Sequence, residues 1–141
     1  MSARSFFDSN VLIYIDDDAD PVKQRRASEL FIEHRRDRTG IVSLQVLQEY
    51  FVVATRKLGI DAERARRKVE LIAEFDVVAP DLQDILAAID LHRLHHFSFW
   101  DSLIFQSAKI AGCSVLFSED FENDRRIQGF RVVNPFRQFE R

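Results

Sequence analysis

Four carboxylates carry the chemistry that this chain can do: Asp8 in Phe7-Asp8-Ser9-Asn10, Glu49 in Leu47-Gln48-Glu49-Tyr50, Asp101 in Trp100-Asp101-Ser102, and Asp120 in Ser118-Glu119-Asp120. Carboxylates brought close together repel and raise each other's pKa unless a cation sits between them. Convergence of the four would therefore make a divalent-metal site. A hard ion held by carboxylate oxygens keeps several waters, lowers the pKa of one, and neutralises charge on a phosphodiester under attack. Hydrolysis at such a site needs no protein nucleophile. The elements around the acids decide whether they meet.

Arg4 to Asp8 reads as a short strand, followed by a helical turn through Val11, Leu12 and Ile15 that stops at Asp16-Asp17-Asp18. Asp20-Pro21 supplies an N-cap and a proline in the first helical position. That helix is marked by Val22, Ala27, Leu30 and Phe31 and ends near Arg38, before Gly40. Ile41-Val42 is a brief strand. Ser43 caps the next helix, whose apolar stripe reads Leu44, Leu47, Phe51, Ala54 and Leu58, with Gly59 as its stop. A charged helix runs from Asp61 to Glu74, a strand from Phe75 to Ala79, and a helix from Asp81 to about His95. Ser98 caps a helix over Phe99 to Ala111, closed by Gly112; Ser114 to Phe117 and Phe130 to Val133 are the last strands. Short apolar strands alternating with helices predict an α/β fold, a mostly parallel sheet of about five strands with helices on both faces.

In an open parallel sheet, sites form outside the carboxyl ends of the strands. Asp8 ends the first strand and Asp120 lies just past Phe117. Glu49 sits two turns into the helix leaving the second strand, and Asp101 opens a helix that runs back antiparallel to the Ser114 to Phe117 strand. All four are expected at one rim. Each has a plainer reading beside it. Asp8 can cap the helix that follows it, and Ser98 to Asp101 fits a capping box by spacing. Glu49 falls opposite the apolar stripe, near Gln45 and Arg56, where a solvated Glu is ordinary. Asp120 lies among Glu119, Glu122 and Asp124, any of which can serve as ligand or as loop charge.

At 141 residues the chain fits a single domain spanning 1–141. Hydrophobic residues make up 46% of it and charged residues 30%, with thirteen Phe to fill a core, which excludes a disordered or low-complexity chain. No apolar run approaches the ~20 residues of a membrane span, and no signal-like segment opens the chain. With its lone Cys113 it reads as cytoplasmic, without a membrane partner. The net charge of −3 is uneven: residues 20–68 hold twelve Lys/Arg against seven Asp/Glu, and the rest eight against sixteen. Arg64, Arg66, Arg67 and Lys68 can meet RNA or a protein, with a solvated face the default. His92, His95 and His96 suit a helix C-terminus better than zinc. Trp100 and Phe97 read as core aromatics, with base stacking the alternative.

The order and context of the acids resemble the PIN-domain nucleases, most closely the VapC-type toxins of type II toxin–antitoxin systems. Phe7-Asp8-Ser9-Asn10-Val11-Leu12-Ile13-Tyr14, Leu47-Gln48-Glu49-Tyr50 and Phe99-Trp100-Asp101-Ser102-Leu103-Ile104 look like the family's first three motifs. Ser118-Glu119-Asp120-Phe121 and the ending Phe130-Arg131-Val132-Val133-Asn134-Pro135-Phe136 are also similar, so the resemblance spans essentially the whole chain. The chain departs from the pattern at Glu122-Asn123-Asp124, where many relatives carry an Asp-Gly turn. The resemblance implies an endoribonuclease in which Asp8, Glu49, Asp101 and Asp120 are the catalytic acids and hold Mg²⁺ or Mn²⁺. Asn10 and Ser118 would be supporting polar groups and Asp124 a further candidate. It also implies an RNA substrate, a cognate antitoxin protein and a homodimer. The alternatives are a non-catalytic partner-binding module on the same fold, and a metal-dependent phosphoryl-transfer or receiver-type domain. The last two lack their usual Asp-x-Asp, or paired acids with a following Lys.

Overall fold

The computed structural model describes residues 3–121, 125–127 and 129–137. Asp124, with Glu122 and Asn123, lies outside the described residues. The chain runs β1 (Ser5–Phe7), α1 (Ser9–Leu12) continuing as a 3₁₀ turn (Ile13–Asp16), α2 (Pro21–Asp37), β2 (Gly40–Ser43), α3 (Leu44–Arg56) and α4 (Ala62–Ile72). It continues with β3 (Asp76–Val78), α5 (Leu82–His95), α6 (Phe99–Ile110), β4 (Val115–Phe117), β5 (Arg126–Ile127) and β6 (Phe130–Val133). The sheet order is β3-β2-β1-β4-β6-β5. Five strands are parallel, as the alternating pattern requires, and β5 adds a two-residue antiparallel edge against β6. A strand that short has no hydrophobic period to read, so the expected five become six.

β1 sits at the centre, with Phe6 opposite Ile41 on one side and Leu116 on the other. It is buried on both faces, so its residues are apolar without alternation. The Phe7 ring lies 5.2 Å from Phe117, 5.3 Å from Phe75 and 5.3 Å from the His34 imidazole, in tilted and edge-on contacts that suit the ring quadrupoles. Full burial of one such side chain is worth about 1.5–3 kcal/mol. His34 is itself buried; its Nδ1 is 2.7 Å from the Thr39 hydroxyl, and burial lowers its pKa. α2 presents Ala27, Leu30, Phe31 and His34 inward, at the spacing of one helical face.

α2 ends where expected, but by another device than a glycine. Arg38 takes the left-handed conformation at the helix end (φ 57°), and Gly40 is already the first residue of β2. Glycine is needed there for space: a Cβ on Gly40 would stand 2.5 Å from Cε2 and Cζ of Phe75, a buried ring packed against Phe7 and Phe31.

α3 is turned relative to the apolar stripe read from sequence. Its buried residues are Gln45, Val46, Tyr50 and Ala54, while Leu44 and Phe51 are exposed and Leu47 and Leu58 only half-buried. Two inward polar side chains find partners across the fold: the Tyr50 hydroxyl donates to Asp16 Oδ2 (2.7 Å) and the Gln45 amide to the Trp100 carbonyl (3.2 Å). Those bonds allow the amphipathic Tyr and Gln inside and leave aliphatic surface outside. Trp100, expected in the core, is 62% exposed, whereas Phe97 packs on the core with its ring edge-on to Phe105. Cys113 is buried beside β4 with its thiol pushed up to about 11 by burial. No helix among the described residues is long and apolar enough to cross a membrane.

If Gly40 is held by the Phe75 ring, Gly40→Ala overpacks this layer and lowers stability by roughly 1–3 kcal/mol. Phe75→Leu alone also costs stability, but in the double variant the alanine penalty should shrink by more than half, read from chemical denaturation of all four proteins. Strict additivity would show that the Gly40–Phe75 contact is not the constraint.

Candidate active site

The register of β1 on β4 brings the first acid to its partners. Phe7 pairs with Phe117, so the residues that follow, Asp8 and Ser118, leave the sheet side by side. The Asp8 amide donates to the Phe117 carbonyl (2.9 Å), and the Ser118 hydroxyl donates to Asp8 Oδ2 (2.9 Å). Asp8 also caps α1, accepting from the Ser9 amide at 2.8 Å. The capping reading and the site reading of Asp8 are therefore compatible, because different oxygens serve each. Asn10 crosses the same gap: its amide donates to Ser118 Oγ (3.1 Å) and lies 3.5 Å from Asp8 Oδ2, while its carbonyl oxygen accepts from the Glu119 amide (3.2 Å). The Asp120 amide in turn donates to Ser118 Oγ (3.3 Å).

The other two acids arrive on helices. Glu49 is half-buried on α3, where Ser9 Oγ donates to its Oε1 at 3.3 Å and Gln45, one turn earlier, also hydrogen-bonds its carboxylate. Its periodic position had suggested solvent; the rotation of α3 turns it inward. Asp101 lies in the first turn of α6, its amide bonded to Ser98 Oγ (3.1 Å), with the Ser98 side chain also bonded to its carboxylate. Ser98 thus caps the helix as its spacing suggested.

Burial and mutual repulsion act on the set together. Burial pushes Asp8, only 6% exposed, up to about 7; the Ser118 bond opposes that, and Glu49 and Asp120 raise it further. Glu49 is raised first by burial, against the Gln45 and Ser9 bonds, and then by Asp101 and Asp120. Asp101 is raised by burial and by Asp120. Asp8, Glu49 and Asp101 each feel at least one other acid of the set, and none of the four forms an ion pair with a described Lys or Arg. Among the described residues, no three His, Cys, Asp or Glu side chains sit close enough to cage an ion directly. Mg²⁺ ordinarily takes one or two carboxylates directly and keeps its waters. The all-oxygen donors, their uncompensated charge, and the buried, unpartnered Oε1 of Gln45 fit a hydrated hard cation.

Two residues of this neighbourhood escaped the sequence reading. Ser9 and Gln45 hold Glu49, and the i, i+4 spacing of Gln45 and Glu49 was the available signal. Glu119 was an open alternative to Asp120; its carboxylate is instead taken by the Tyr14 hydroxyl (2.8 Å) and Lys23 Nζ (2.5 Å). The histidines stay apart from the acids: His92 Nδ1 contacts the Phe97 carbonyl, and His95 stacks on the Phe97 ring. Arg66, Arg67 and Lys68 are paired with Glu70, Glu63 and Asp16. A cleft of about 830 Å³, lined by Phe31, Arg38, Gly40 and Phe75 among others, includes none of the four acids. A smaller cavity of about 360 Å³ adjoins them and is lined by Ser9, Asn10 and Asp120.

A family model described as the PIN domain matches residues 5–126. Among solved structures, VapC20 of Mycobacterium tuberculosis, described as a sarcin-ricin loop cleaving toxin, superposes with a TM-score of 0.69 at 19% identity, over 84% of this chain and 91% of that one. A toxin–antitoxin complex from Klebsiella pneumoniae gives 0.67 at 20% identity, and the DNA-bound VapBC from Salmonella typhimurium 0.65 at 21%; each covers 93% of this chain and 97% of that one. At those identities the likeness is one of fold. No curated protein matches the chain in sequence.

Asp8 makes a prediction with a definite sign. Unfolded, it ionises near 3.8; folded, near 7. Between those values the unfolded chain has released the proton and the folded one has kept it. Its contribution to stability is therefore full at low pH and lost as pH rises toward 7. Asp8→Asn removes that loss: in metal-free buffer its Tm should match wild type near pH 4 and exceed it by about 5 °C or more at pH 8, since a tenfold change in an ionisation equilibrium corresponds to ~1.4 kcal/mol. A Tm difference independent of pH between 4 and 8 would show that Asp8 is not strained in this way.

Proposed function

The chain belongs to the PIN-domain family, and from that premise we propose that it is a metal-dependent endoribonuclease, the toxin of a toxin–antitoxin pair. The observation that carries this reading is the set of four carboxylates, Asp8, Glu49, Asp101 and Asp120, unpaired with any described cation, in which burial and then neighbouring acids raise the pKa of Asp8, Glu49 and Asp101. In it, Asp8 and Asp101 hold Mg²⁺ or Mn²⁺ most directly, and Glu49 and Asp120 complete or orient the shell. The ion supplies an activated water and neutralises charge on the scissile phosphate. Ser118 and Asn10 fix the Asp8 carboxylate through its Oδ2, and Ser9 and Gln45 fix that of Glu49. Each carboxylate is thereby aimed before substrate arrives, so little reorganisation is left to the reaction.

Exposed apolar surface supports the partner side of the proposal. Leu82, Ile85, Leu86 and Ile89 form an i, i+3, i+4, i+7 stripe on α5, exposed although its spacing is that of a buried face. We assign this stripe to a homodimer interface. A second apolar hollow, of about 540 Å³, lies between α3 and α4 and is lined by Leu47, Phe51, Val52, Ala62 and Val69. This surface suits an antitoxin segment.

Incubated with total cellular RNA and Mg²⁺, the protein should produce discrete new ends, lost in Asp101→Ala and lost again when the wild type is stripped of metal. Ends that survive metal removal would sink the nuclease assignment. For the interface, Leu86→Arg with Ile89→Glu should convert a dimer to a monomer in sedimentation at tens of micromolar. A wild type already monomeric under those conditions would contradict the dimer.

A further inference from the structure

The cavity of about 360 Å³ beside the acids lies within the ~300–1,000 Å³ range of small-ligand sites. One wall is Ser9, Asn10 and Asp120, members of the acid network. Ile13, Val53 and Leu58 add apolar side chains to the lining, from the 3₁₀ turn, α3 and the segment just after α3. Tyr14, Asp17, Glu119 and a single lining cation, Lys57, complete it.

Lys57 differs from the other basic residues nearby. Arg66, Arg67 and Lys68 have carboxylate partners, whereas exposed Lys57 forms no ion pair among the described residues. Its backbone is nonetheless fixed: its amide donates to the Val53 carbonyl (2.8 Å) at the end of α3, and the Ile60 amide returns to Ala54 (3.0 Å) through Gly59 at φ 68°. Lys57 is the C-cap of α3, where a cation is favoured by the helix dipole. Glu119 is the complementary fixed group. With Tyr14 on one oxygen and Lys23 on the other, its carboxylate keeps lone pairs free for another donor, in a position it cannot easily leave.

We propose that this cavity is a nucleotide subsite, in which Lys57 takes the phosphate next to the one cut, the Ile13/Val53/Leu58 wall takes the sugar or base face, and Glu119 accepts from a base edge. The proposal rests on the ribonuclease reading. A polyanion approaching four carboxylates is repelled by them, and on this flank Lys57 is the cation that offsets the repulsion. A ligand with phosphate, apolar ring face and N–H donors meets all three kinds of wall at once. Single-stranded RNA presents that combination with its bases unpaired.

The test uses the full chain and a fluorescein-labelled single-stranded RNA containing a mapped cleavage site. Lys57→Ala should raise KM roughly tenfold with kcat within about twofold, the effect of removing one charged contact to substrate. Lys57→Arg should restore most of the loss. With the cleavage-deficient Asp101→Ala chain as binder, adding Lys57→Ala should reduce the magnitude of the salt slope of log K by about 0.7, one phosphate contact. Leu58→Trp, which fills the cavity and keeps the charge, should weaken binding with that slope unchanged. Wild-type cleavage with KM and salt slope untouched by Lys57→Ala and Leu58→Trp overturns the subsite and leaves the nuclease standing. A fall in kcat at constant KM also overturns it, and a wild type that neither binds nor cuts RNA removes both readings.

Discussion

Asp8 is a carboxylate held in the interior of the molecule, at the end of the central strand, and much of the structure exists to keep it there. Ionising it away from water is costly, and three hydrogen-bond donors offset only part of that cost, so it ionises near 7. The donors come from the residue after it, from α1 and from the strand beside it. Loss of the β1–β4 register would therefore remove the Ser118 bond and leave a buried, underpaired carboxyl. A buried carboxyl with a strongly shifted pKa is the kind of group that clusters at functional sites.

The aromatic layer beneath the site is what makes that register rigid. Phe7 is packed among Phe117, Phe75 and His34, and Phe75 in turn presses on Phe31 and on the bare Cα of Gly40. These contacts connect β1, β2, β4 and α2 through one cluster beneath the strand ends that carry Asp8 and Ser118. Packing at this density transmits strain poorly tolerated by any one residue, and the carboxyl rim inherits that stiffness.

α3 shows how polar satisfaction can outrank hydrophobicity in choosing a helix face. Tyr50 and Gln45 go inward because Asp16 and the Trp100 carbonyl await them, and the aliphatic side chains go outward. The same rotation brings Glu49 into the acid network and creates the apolar hollow against α4. The acid network and the apolar hollow are thus two faces of one helix.

The chain's own pattern was enough to read the strand and helix order, the parallel sheet, the caps Asp20, Ser43, Asp61, Asp81 and Ser98, and the rim on which Asp8, Asp101 and Asp120 lie. Those features depend on local periodicity, capping chemistry and strand direction, all of which are written in neighbouring residues. The outward turn of Phe51 and Trp100, the two-residue β5, the role of Gly40, and the division of labour between Glu119 and Asp120 were not legible that way. β5 is too short to carry a period, and the α3 face, Gly40 and Glu119 depend on partners far along the chain: Asp16 for Tyr50, Phe75 for Gly40, and Tyr14 with Lys23 for Glu119. A sequence lists which groups can hydrogen-bond or clash, but only the folded chain selects which of them are within reach, and that choice set the face of α3 and the shape of the site.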